Sequence, residues 1–576
     1  MLDVVIKGGT VVDGTGAPGV VADVGVRDGR IVAVGSVDEA AAREVDADGL
    51  VVAPGIVDPH THYDAQLLWD PSASPSNLHG VTSVIGGNCG FTLAPLDPSD
   101  SEYLRRMMAR VEGMPLGALE AGLDWDWTTF GDYLSRFEGN LGVNAGFLVG
   151  HCAVRRLVMG ADAIGGQPTP EQLEAMQRVL AESLEAGGLG FSSSQAYTHD
   201  DGDGSPVPSR HAGEEELLAL CDVVRRYPGT SLEYITSGCL QGFSDEEVER
   251  MAQMSYRARR VLNWNVLTVD GREPGKVSQQ LRPSDRAAEL GGRVVALTMP
   301  TIVGMNMNLA TFCALWLLPG WKEILDRPIP ERIARLRDPE TRRVMNERAK
   351  SPEAGVVRRL TGWGGYRIGD TFSEANEGLA GRTVAEVARE RGIDDFDALL
   401  DVVIADDLRT VLWPSAGDDD TASWTLRSEI WEDPRVLIGG SDAGAHLDRM
   451  CGAPYATAWL ADCLRGRQLA PMETAIRLMT SAPADLFGLR DRGRIAEGGF
   501  ADLFVFDPAM VDCGQFRMTP DLPGDNKRLV ADSVGVEHVF VNGVETVRAG
   551  AGTGAVPGTL MRSGRDTTTV AVPAGA

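Results

Sequence analysis

Two histidines one residue apart are the first candidates for chemistry in this sequence. His60 and His62 end the segment PGIVDPHTH at 54–62, which continues the apolar run 51–58. Side chains two positions apart at the end of a strand point to the same side, and two neutral imidazoles there make half of a zinc-type site. A histidine pair alone is weak evidence, but the preceding apolar strand and its Pro-Gly turn strengthen the prediction of metal ligands.

An aspartate near the other end of the chain is the second candidate. Asp442 lies in GGSDAGAH at 439–446, at the end of the apolar run 435–441. A carboxylate beside small residues can approach a metal closely, bind it and accept a proton from its water. The alternative is that Asp442 caps the next helix. We favour the ligand role because one barrel would bring Asp442 to His60 and His62.

A cysteine between glycines is the third candidate. Cys89 lies in GGNCG at 86–90, after the apolar run 81–86. Near a metal such a cysteine would be a thiolate ligand. The alternative is a small buried cysteine in a tight turn.

The elements that must position these residues alternate along the middle of the chain. Between most of the apolar runs lie helical stretches, and this alternation predicts an α/β fold with a (β/α)8 TIM-like barrel over 53–299 and 431–484. Near-continuous apolar runs are typical of strands shielded on both faces. The eight runs are 51–58, 81–86, 143–150, 188–193, 230–236, 260–268, 292–299 and 435–441.

The two ends of the chain differ from the middle. Short β-branched runs with Asp-Gly and Gly-Gly breaks predict a small β-sandwich built from 1–52 and 485–560. Residues 561–576 are predicted to be an extended tail or an added strand.

A long segment separates the seventh and eighth strand runs. Residues 300–430 contain two stretches of helical period, 306–325 and 381–407, and are predicted to form a helical insertion. Loops after the strands line the reactive face of such a barrel. We therefore interpret the insertion as a lid, with a separate domain that has no role in the site as the alternative.

Composition limits the partners. The chain has 576 residues and a formal net charge of -28, which disfavours nucleic acid and anionic membrane surfaces. Since no apolar run reaches eighteen residues and the N-terminus lacks a secretory pattern, a cytoplasmic protein is expected. Eight scattered cysteines without a C-x-x-C pair indicate reduced thiols. The composition does not decide whether the protein forms a homo-oligomer.

Longer motifs show a family resemblance. The sequence resembles the D-aminoacylase (N-acyl-D-amino-acid deacylase) branch of the amidohydrolase superfamily along nearly the whole chain. The resemblance implies that His60, His62 and Asp442 bind one metal ion, usually Zn2+, with Cys89 as a shared or bridging ligand. It also implies hydrolysis of the amide of an N-acylated amino acid. The supporting segments are APGIVDPHTHYDAQ at 53–66, HGVTSVIGGNCGFTLAP at 79–95, VGHCAVRRLVMG at 149–160, GLGFSSSQAY at 188–197, GGSDAGAH at 439–446 and DRGRIAEGGFADLFVFDP at 491–508.

The sequence departs from that family after the fifth and sixth strands. Where relatives carry histidines, this chain has Glu233 and Asn265, and no lysine lies on the fourth strand. One metal ion is therefore expected rather than two, with Cys89 or Glu233 completing the site. A carboxylate ligand could shift the metal preference away from zinc.

Substrate contacts are predicted from residues near the strand ends. Two arginines could bind a substrate carboxylate, because their fork of N–H donors suits it, although each could equally lie at the surface or in a salt bridge. The predicted substrate-binding residues are His151, Arg155, Tyr197, Asn265, His446 and Arg449. His79 is expected to be structural, and His199 to lie at the surface or in a lid.

The predicted reaction is cleavage of an amide C–N bond of a small-molecule substrate by metal-activated water, with Asp442 moving the proton to the leaving nitrogen. Two alternatives stay open. One is a deaminase or cyclic-amide hydrolase on the same barrel, and the other is a degenerate barrel that binds ligands without hydrolysis.

Overall fold

The computed structural model describes residues 1–311 and 313–573. Its contacts divide the chain into two compact units. The first holds the residues up to Thr301 and those from Ala422 onward, and the second holds Ile302–Thr421.

Among the described residues, nine short parallel strands form the centre of the first unit. Each of the eight predicted apolar runs overlaps at least one of them, so the mixed α/β prediction is confirmed. One sheet holds Ile56–Asp58, Val81–Gly86 and Asn144–Phe147. The other holds, in spatial order, Val149–Gly150, Gly190–Gln195, Ser231–Thr236, Val261–Trp264, Arg293–Thr298 and Val436–Ile438.

Helices connect most of these strands. The helix Pro170–Glu185 shows why they begin where they do: Thr169 accepts a hydrogen bond from Gln172 N–H at 3.2 Å, and the Gln172 side chain accepts one from Thr169 N–H. The other helices of this unit are Gln66–Trp69, Ser101–Val111, Leu116–Gly122, Phe130–Ser135, His151–Met159, Glu214–Val224, Gly238–Gln241, Asp245–Ala258, Pro274–Gln280, Arg282–Leu290, Thr421–Ile430 (whose first residue belongs to the second unit), Tyr455–Leu464, Met472–Met479 and Ser481–Phe487.

Both ends of the chain share one nine-stranded sheet. Val51–Pro54 pairs antiparallel with Leu503–Phe506, which joins the N-terminal strands to the C-terminal ones. The remaining strands are Leu2–Val11, Val20–Arg27, Arg30–Gly35, Ala41–Asp46, Val536–Val541, Val544–Arg548 and Ala551–Gly552. Two further hairpin-like pairs join Asp512–Cys513 to Ser533–Val534 and Arg517–Leu522 to Asn526–Val530.

The predicted tail packs against the first unit. Met561 and Thr567 are buried, and the Thr567 hydroxyl donates to the carbonyl of Gly229 at 2.6 Å. A single bridge pairs Thr567 with Leu489. This part of the chain therefore does not extend freely, and residues 574–576 of the predicted tail lie outside the described residues.

The second unit is largely helical and lies within the predicted insertion 300–430. The stretch 381–407 forms the helices Val384–Arg391 and Asp395–Ala405. Its other elements are the helices Lys322–Leu325, Ile329–Arg337 and Pro339–Ala349, the 3-10 segments Ala314–Leu317, Pro352–Thr361, Trp363–Gly365 and Glu374–Asn376, and the strand pair Arg367–Ile368 with Leu412–Trp413. Its role as a lid stays a prediction.

The helical interpretation of 306–325 is mostly wrong. Asn308 Oδ1 accepts the backbone N–H groups of Ala310 and Thr311, which forms a turn where a helix was expected. Leu309 packs into the core of the second unit from a turn, and Leu315 does so from the short 3-10 segment Ala314–Leu317. Among the described residues of the whole chain, no helix combines the length and the hydropathy that crossing a bilayer needs.

His79 links three parts of the first unit and generates a pH prediction. Its Nδ1 lies 2.7 Å from Thr457 Oγ1, and its Nε2 lies 3.0 Å from the carbonyl of Ala531. Burial lowers the pKa of His79 to about 4, so the folded protein holds this imidazole neutral. Its contribution is complete above the unfolded pKa near 6.5 and is lost as the pH falls toward 4.

We expect the apparent free energy of unfolding of the wild type to fall, between pH 6.5 and 4, by up to about 3 kcal/mol more than that of a His79→Asn variant. Urea denaturation at a series of pH values measures both. Parallel pH profiles would contradict a neutral, structural His79.

Candidate metal centre

The histidine pair lies where the first parallel strand ends. His60 and His62 follow Ile56–Asp58, and each is 1% exposed. Their rings meet edge to face with centroids 5.3 Å apart. The strand geometry thus brings both Nε2 atoms to one side, as their spacing predicts.

Asp442 comes to this pair from the far end of the chain. Its Oδ1 lies 3.1 Å from His62 Nε2 and 3.6 Å from His60 Nε2. The backbone explains the approach: Asp442 N–H donates to the carbonyl of His60 at 3.2 Å, and His62 N–H donates to that of Ala443 at 2.7 Å. The Asp442 side chain is 28% exposed, so it remains accessible to a small molecule.

Cys89 lies on the other side of His60. Its Sγ is 3.6 Å from His60 Nε2, and its backbone has a φ of 54°, which the flanking glycines help the turn to adopt. Cys89 N–H donates to Glu233 Oε2 at 2.8 Å. The Asn265 amide nitrogen lies 3.3 Å from His60 Nε2 and 3.8 Å from Cys89 Sγ.

Glu233 and Asn265, predicted from the sequence to stand in place of family histidines, both border the cluster. Glu233 comes from the strand Ser231–Thr236, and Asn265 directly follows Val261–Trp264. Glu233 Oε1 and Asn265 Oδ1 are buried without a hydrogen-bond partner among the residues that the structure describes. A buried oxygen without a partner is costly, so each is available to an additional ligand of the cluster.

Glu112 is a member of the cluster that sequence reasoning missed. It directly follows the helix Ser101–Val111 and is 3% exposed. Its Oε2 lies 3.5 Å from His62 Nε2. Its carbonyl accepts the backbone N–H of His446. In the sequence it ends an ordinary helix in RVEGMP, which carries no signal of a ligand.

Burial and charge shift the ionisation of these groups. Burial and the neighbouring His62 lower the pKa of His60 to about 3. Burial also opposes a charge on His62, but the carboxylates of Glu112 and Asp442 outweigh it and raise its pKa to about 10. Burial raises the pKa of Glu112 to about 7 and that of Glu233 to about 8.

Two further groups complete the charge pattern. Although burial opposes its ionisation, contact with His62 keeps the pKa of Asp442 well below its ordinary value. Burial and Glu233 raise the pKa of the Cys89 thiol. The cluster thus concentrates acidic groups around a single imidazolium, an arrangement that a divalent cation would stabilise.

The donor atoms fit a metal ion. Two donors at about 2.0–2.3 Å from a tetrahedral zinc lie about 3.3–3.7 Å apart. The separations of 3.1–3.6 Å among the nitrogen, oxygen and sulfur atoms above match this closely. Two groups of three residues each have all their ligand atoms within 4.8 Å of one another. The groups are His60, His62 and Cys89, and His62, Glu112 and Asp442.

His151 and Arg155, predicted to bind substrate, lie in a buried network instead. His151 Nε2 is 2.9 Å from Glu216 Oε1, and its Nδ1 is 2.8 Å from Ser193 Oγ. Arg155 is fully buried, forms an ion pair with Glu216 and donates to the carbonyl of Ala163 at 3.2 Å. Because protein groups already bind this guanidinium, we expect it to stabilise the fold rather than to bind a substrate carboxylate.

Three other predicted substrate contacts lie at strand ends. His446 Nε2 is 3.7 Å from Asp442 Oδ2, which places His446 beside the cluster. Arg449 pairs with Asp448 at 2.8 Å. The backbone N–H of Tyr197 donates to Ser237 Oγ at 3.1 Å. Their contact with substrate stays a prediction.

His199, predicted to lie at the surface or in a lid, is in the loop after the strand Gly190–Gln195, and its role in a lid stays a prediction. The imidazole is half-buried, with Nδ1 2.7 Å from Ser194 Oγ and its ring 5.2 Å from that of Phe91. Burial and the charge of His62 lower the pKa of His199 to about 3. Its position after the strand Gly190–Gln195 was the signal in the sequence, since loops after such strands line the reactive face.

Comparisons with known proteins show similarity along nearly the whole chain. A family model described as "Amidohydrolase family" matches residues 43–547. D-aminoacylase from Alcaligenes xylosoxydans xylosoxydans is 28% identical over 97% of this chain and 97% of its own length. N-acyl-D-glutamate deacylase from the same organism is 30% identical over 94% of this chain and 93% of its own.

A solved structure is also similar to this chain along nearly its whole length. The crystal structure of N-acyl-D-glutamate deacylase from Bordetella bronchiseptica covers 98% of this chain and 100% of its own, with a TM-score of 0.64 and 26% identity. That protein was complexed with zinc and a phosphonate inhibitor, a mimic of the reaction tetrahedral intermediate.

The buried network around Glu216 generates a prediction that separates stability from substrate binding. Arg155→Met leaves Glu216 with less compensation of its buried charge, so we expect the free energy of unfolding to fall by about 3–5 kcal/mol. KM at permissive temperature should stay within threefold of the wild type. Denaturation and steady-state kinetics measure the two effects, and the exposed Arg178→Met serves as the control. A large rise in KM with unchanged stability would instead indicate that Arg155 binds the substrate.

Proposed function

Because this chain belongs to the amidohydrolase family, whose relatives here are metal-dependent hydrolases of carbon–nitrogen bonds, we propose that it removes the acyl group from an N-acyl-D-amino acid. The observation that carries the proposal is the convergence of His60 Nε2, His62 Nε2 and Asp442 Oδ1 within 3.1–3.6 Å. The substrate class rests on the relatives, which include D-aminoacylase and N-acyl-D-glutamate deacylase.

We propose that one divalent ion, zinc in the first instance, is held by His60, His62 and Asp442. Cys89 completes the set, because its Sγ lies 3.6 Å from His60 Nε2. Glu233 supports it through its hydrogen bond to Cys89 N–H. When bound, such an ion supplies Lewis acidity and lowers the pKa of water.

The side chains of this chain supply the proton transfers. Asp442 is ionised at neutral pH and partly exposed, so it can accept a proton from the attacking water and deliver it to the leaving nitrogen. His446 Nε2 lies 3.7 Å from the second oxygen of Asp442, which places a polar group beside that carboxylate. Burial of the surrounding residues excludes bulk water and strengthens these interactions.

We further propose that the two parallel sheets close into a (β/α)8 barrel. Two contacts support closure. Thr61 and Ala443 form a parallel bridge between the ends of the first and last strands. Only Leu148 separates Asn144–Phe147 from Val149–Gly150, which lie in different sheets. The nine-stranded sheet from the two chain ends is proposed to fold over its own apolar core as a sandwich.

Asp442→Asn tests the proposed base. We expect kcat to fall by about 10³-fold, since a positioned base contributes roughly 10²–10⁴-fold, while the fold is kept. Steady-state kinetics of the zinc-loaded protein measure the loss, and the exposed Asp124→Asn is the matched control. Activity within tenfold of the wild type would refute the role.

A substrate comparison tests the proposed class. We expect the zinc-loaded protein to release free amino acid and carboxylate from N-acetyl-D-amino acids with kcat/KM at least tenfold higher than from the L-enantiomers. A chiral assay of the released amino acid measures both rates. Preference for L-enantiomers would contradict the stereochemical proposal, and ammonia release or ring opening of cyclic amides would favour the other reaction types.

A further inference from the structure

Two sets of donor atoms share one histidine in this cluster, and we take its Nε2 atom as the donor in both. His60, His62 and Cys89 form the first set, which we call the thiolate set. His62, Glu112 and Asp442 form the second, which we call the carboxylate set. The Nε2 atom of His62 lies 3.1 Å from Asp442 Oδ1 and 3.5 Å from Glu112 Oε2.

This shared nitrogen prevents both sets from being filled together. A neutral imidazole nitrogen offers one lone pair and binds one metal ion. An ion that takes His62 Nε2 with Cys89 therefore excludes an ion that takes it with Glu112. The protein must hold its cation through one set or the other.

The two sets differ in the cations that they favour. A thiolate with two imidazoles is the donor set of a thiophilic ion such as zinc. Two carboxylates with one imidazole resemble the sites of oxygen-preferring cations such as Mn2+. The ligand that makes this difference is Glu112, since Asp442 also lies 3.6 Å from His60 of the first set.

Glu112 is held in place by the same loop that carries Asp442. Its backbone N–H donates to Met108 at 2.9 Å as the helix ends, and its carbonyl accepts the N–H of His446. Gly113 follows with a φ of 59°, and a Cβ there would meet the His446 backbone at 3.0 Å. This close packing fixes the direction in which the 3% exposed carboxylate enters the cluster.

We propose that Glu112 is a metal ligand of this protein. His62, Glu112 and Asp442 form a binding site for an oxygen-preferring divalent cation, and this site competes with the site formed by the thiolate set. The proposal rests on the metal dependence proposed above and adds a ligand to it. It predicts that the protein binds a single ion, and that the metal supplied determines which of the two sites the ion occupies.

The test is calorimetric titration of the metal-free protein with Mn2+ alone and with Zn2+ alone. The wild type should bind one equivalent of either ion, and the ions should compete. Glu112→Gln should weaken Mn2+ binding at least tenfold, the lower end of the loss seen when partners of a metal site are removed, and weaken Zn2+ binding less than threefold. Cys89→Ser should do the reverse.

Two controls make the result specific. Glu102→Gln removes the same charge from an exposed position of the same helix and should change neither affinity. Glu112→Asp keeps the negative charge but shortens the side chain by one methylene, so it should bind Mn2+ with intermediate affinity. This variant provides the test if Glu112→Gln folds poorly.

The outcomes separate this proposal from the proposed function. Mn2+ binding by Glu112→Gln within threefold of the wild type overturns the role of Glu112, as does simultaneous binding of one Mn2+ and one Zn2+. A wild type that binds neither ion refutes the metal-dependent function itself. Loss of Mn2+ affinity in Glu112→Gln together with loss of Zn2+ affinity in Cys89→Ser supports two alternative binding sites.

Discussion

Two backbone hydrogen bonds between the ends of the first and last parallel strands hold the candidate centre together. His62 donates to the carbonyl of Ala443, and Asp442 donates to that of His60. They join segments about 380 residues apart in the chain and set Asp442 Oδ1 at 3.1 Å from His62 Nε2. The donor separations that fit a metal ion depend on this register, because a shift of one residue would turn these side chains to the other face.

The charge of the cluster follows from where that register places it. Glu112, Glu233 and Asp442 bring carboxyl groups into a buried space, and burial of such groups is costly unless an opposite charge compensates it. The protein itself provides the His62 imidazolium. A divalent cation bound to the neutral imidazole would take the place of the imidazolium proton and compensate the carboxylates, so the same arrangement explains both the unusual ionisation and the suitability for a metal.

Glu233 and Asn265 line the candidate centre beside His60 and Cys89. Glu233 hydrogen-bonds to Cys89 N–H, and the Asn265 amide contacts His60 and Cys89. These side chains border the thiolate side of the cluster, and Glu112 borders the other side. A family member can thus keep the strand-end scaffold while altering which donors face the cation.

The sequence alone determined the strand runs, the sides on which His60 and His62 point, and the candidacy of Asp442 and Cys89, because periodicity and strand-end position are local properties. It could not identify Glu112, which looks like an ordinary helix end, nor show that Arg155 pairs with Glu216. It also expected a helix over 306–325, most of which is not helical. Only the tertiary structure decided these points, because each depends on which distant side chain shares the same buried space, and local patterns carry no information about that.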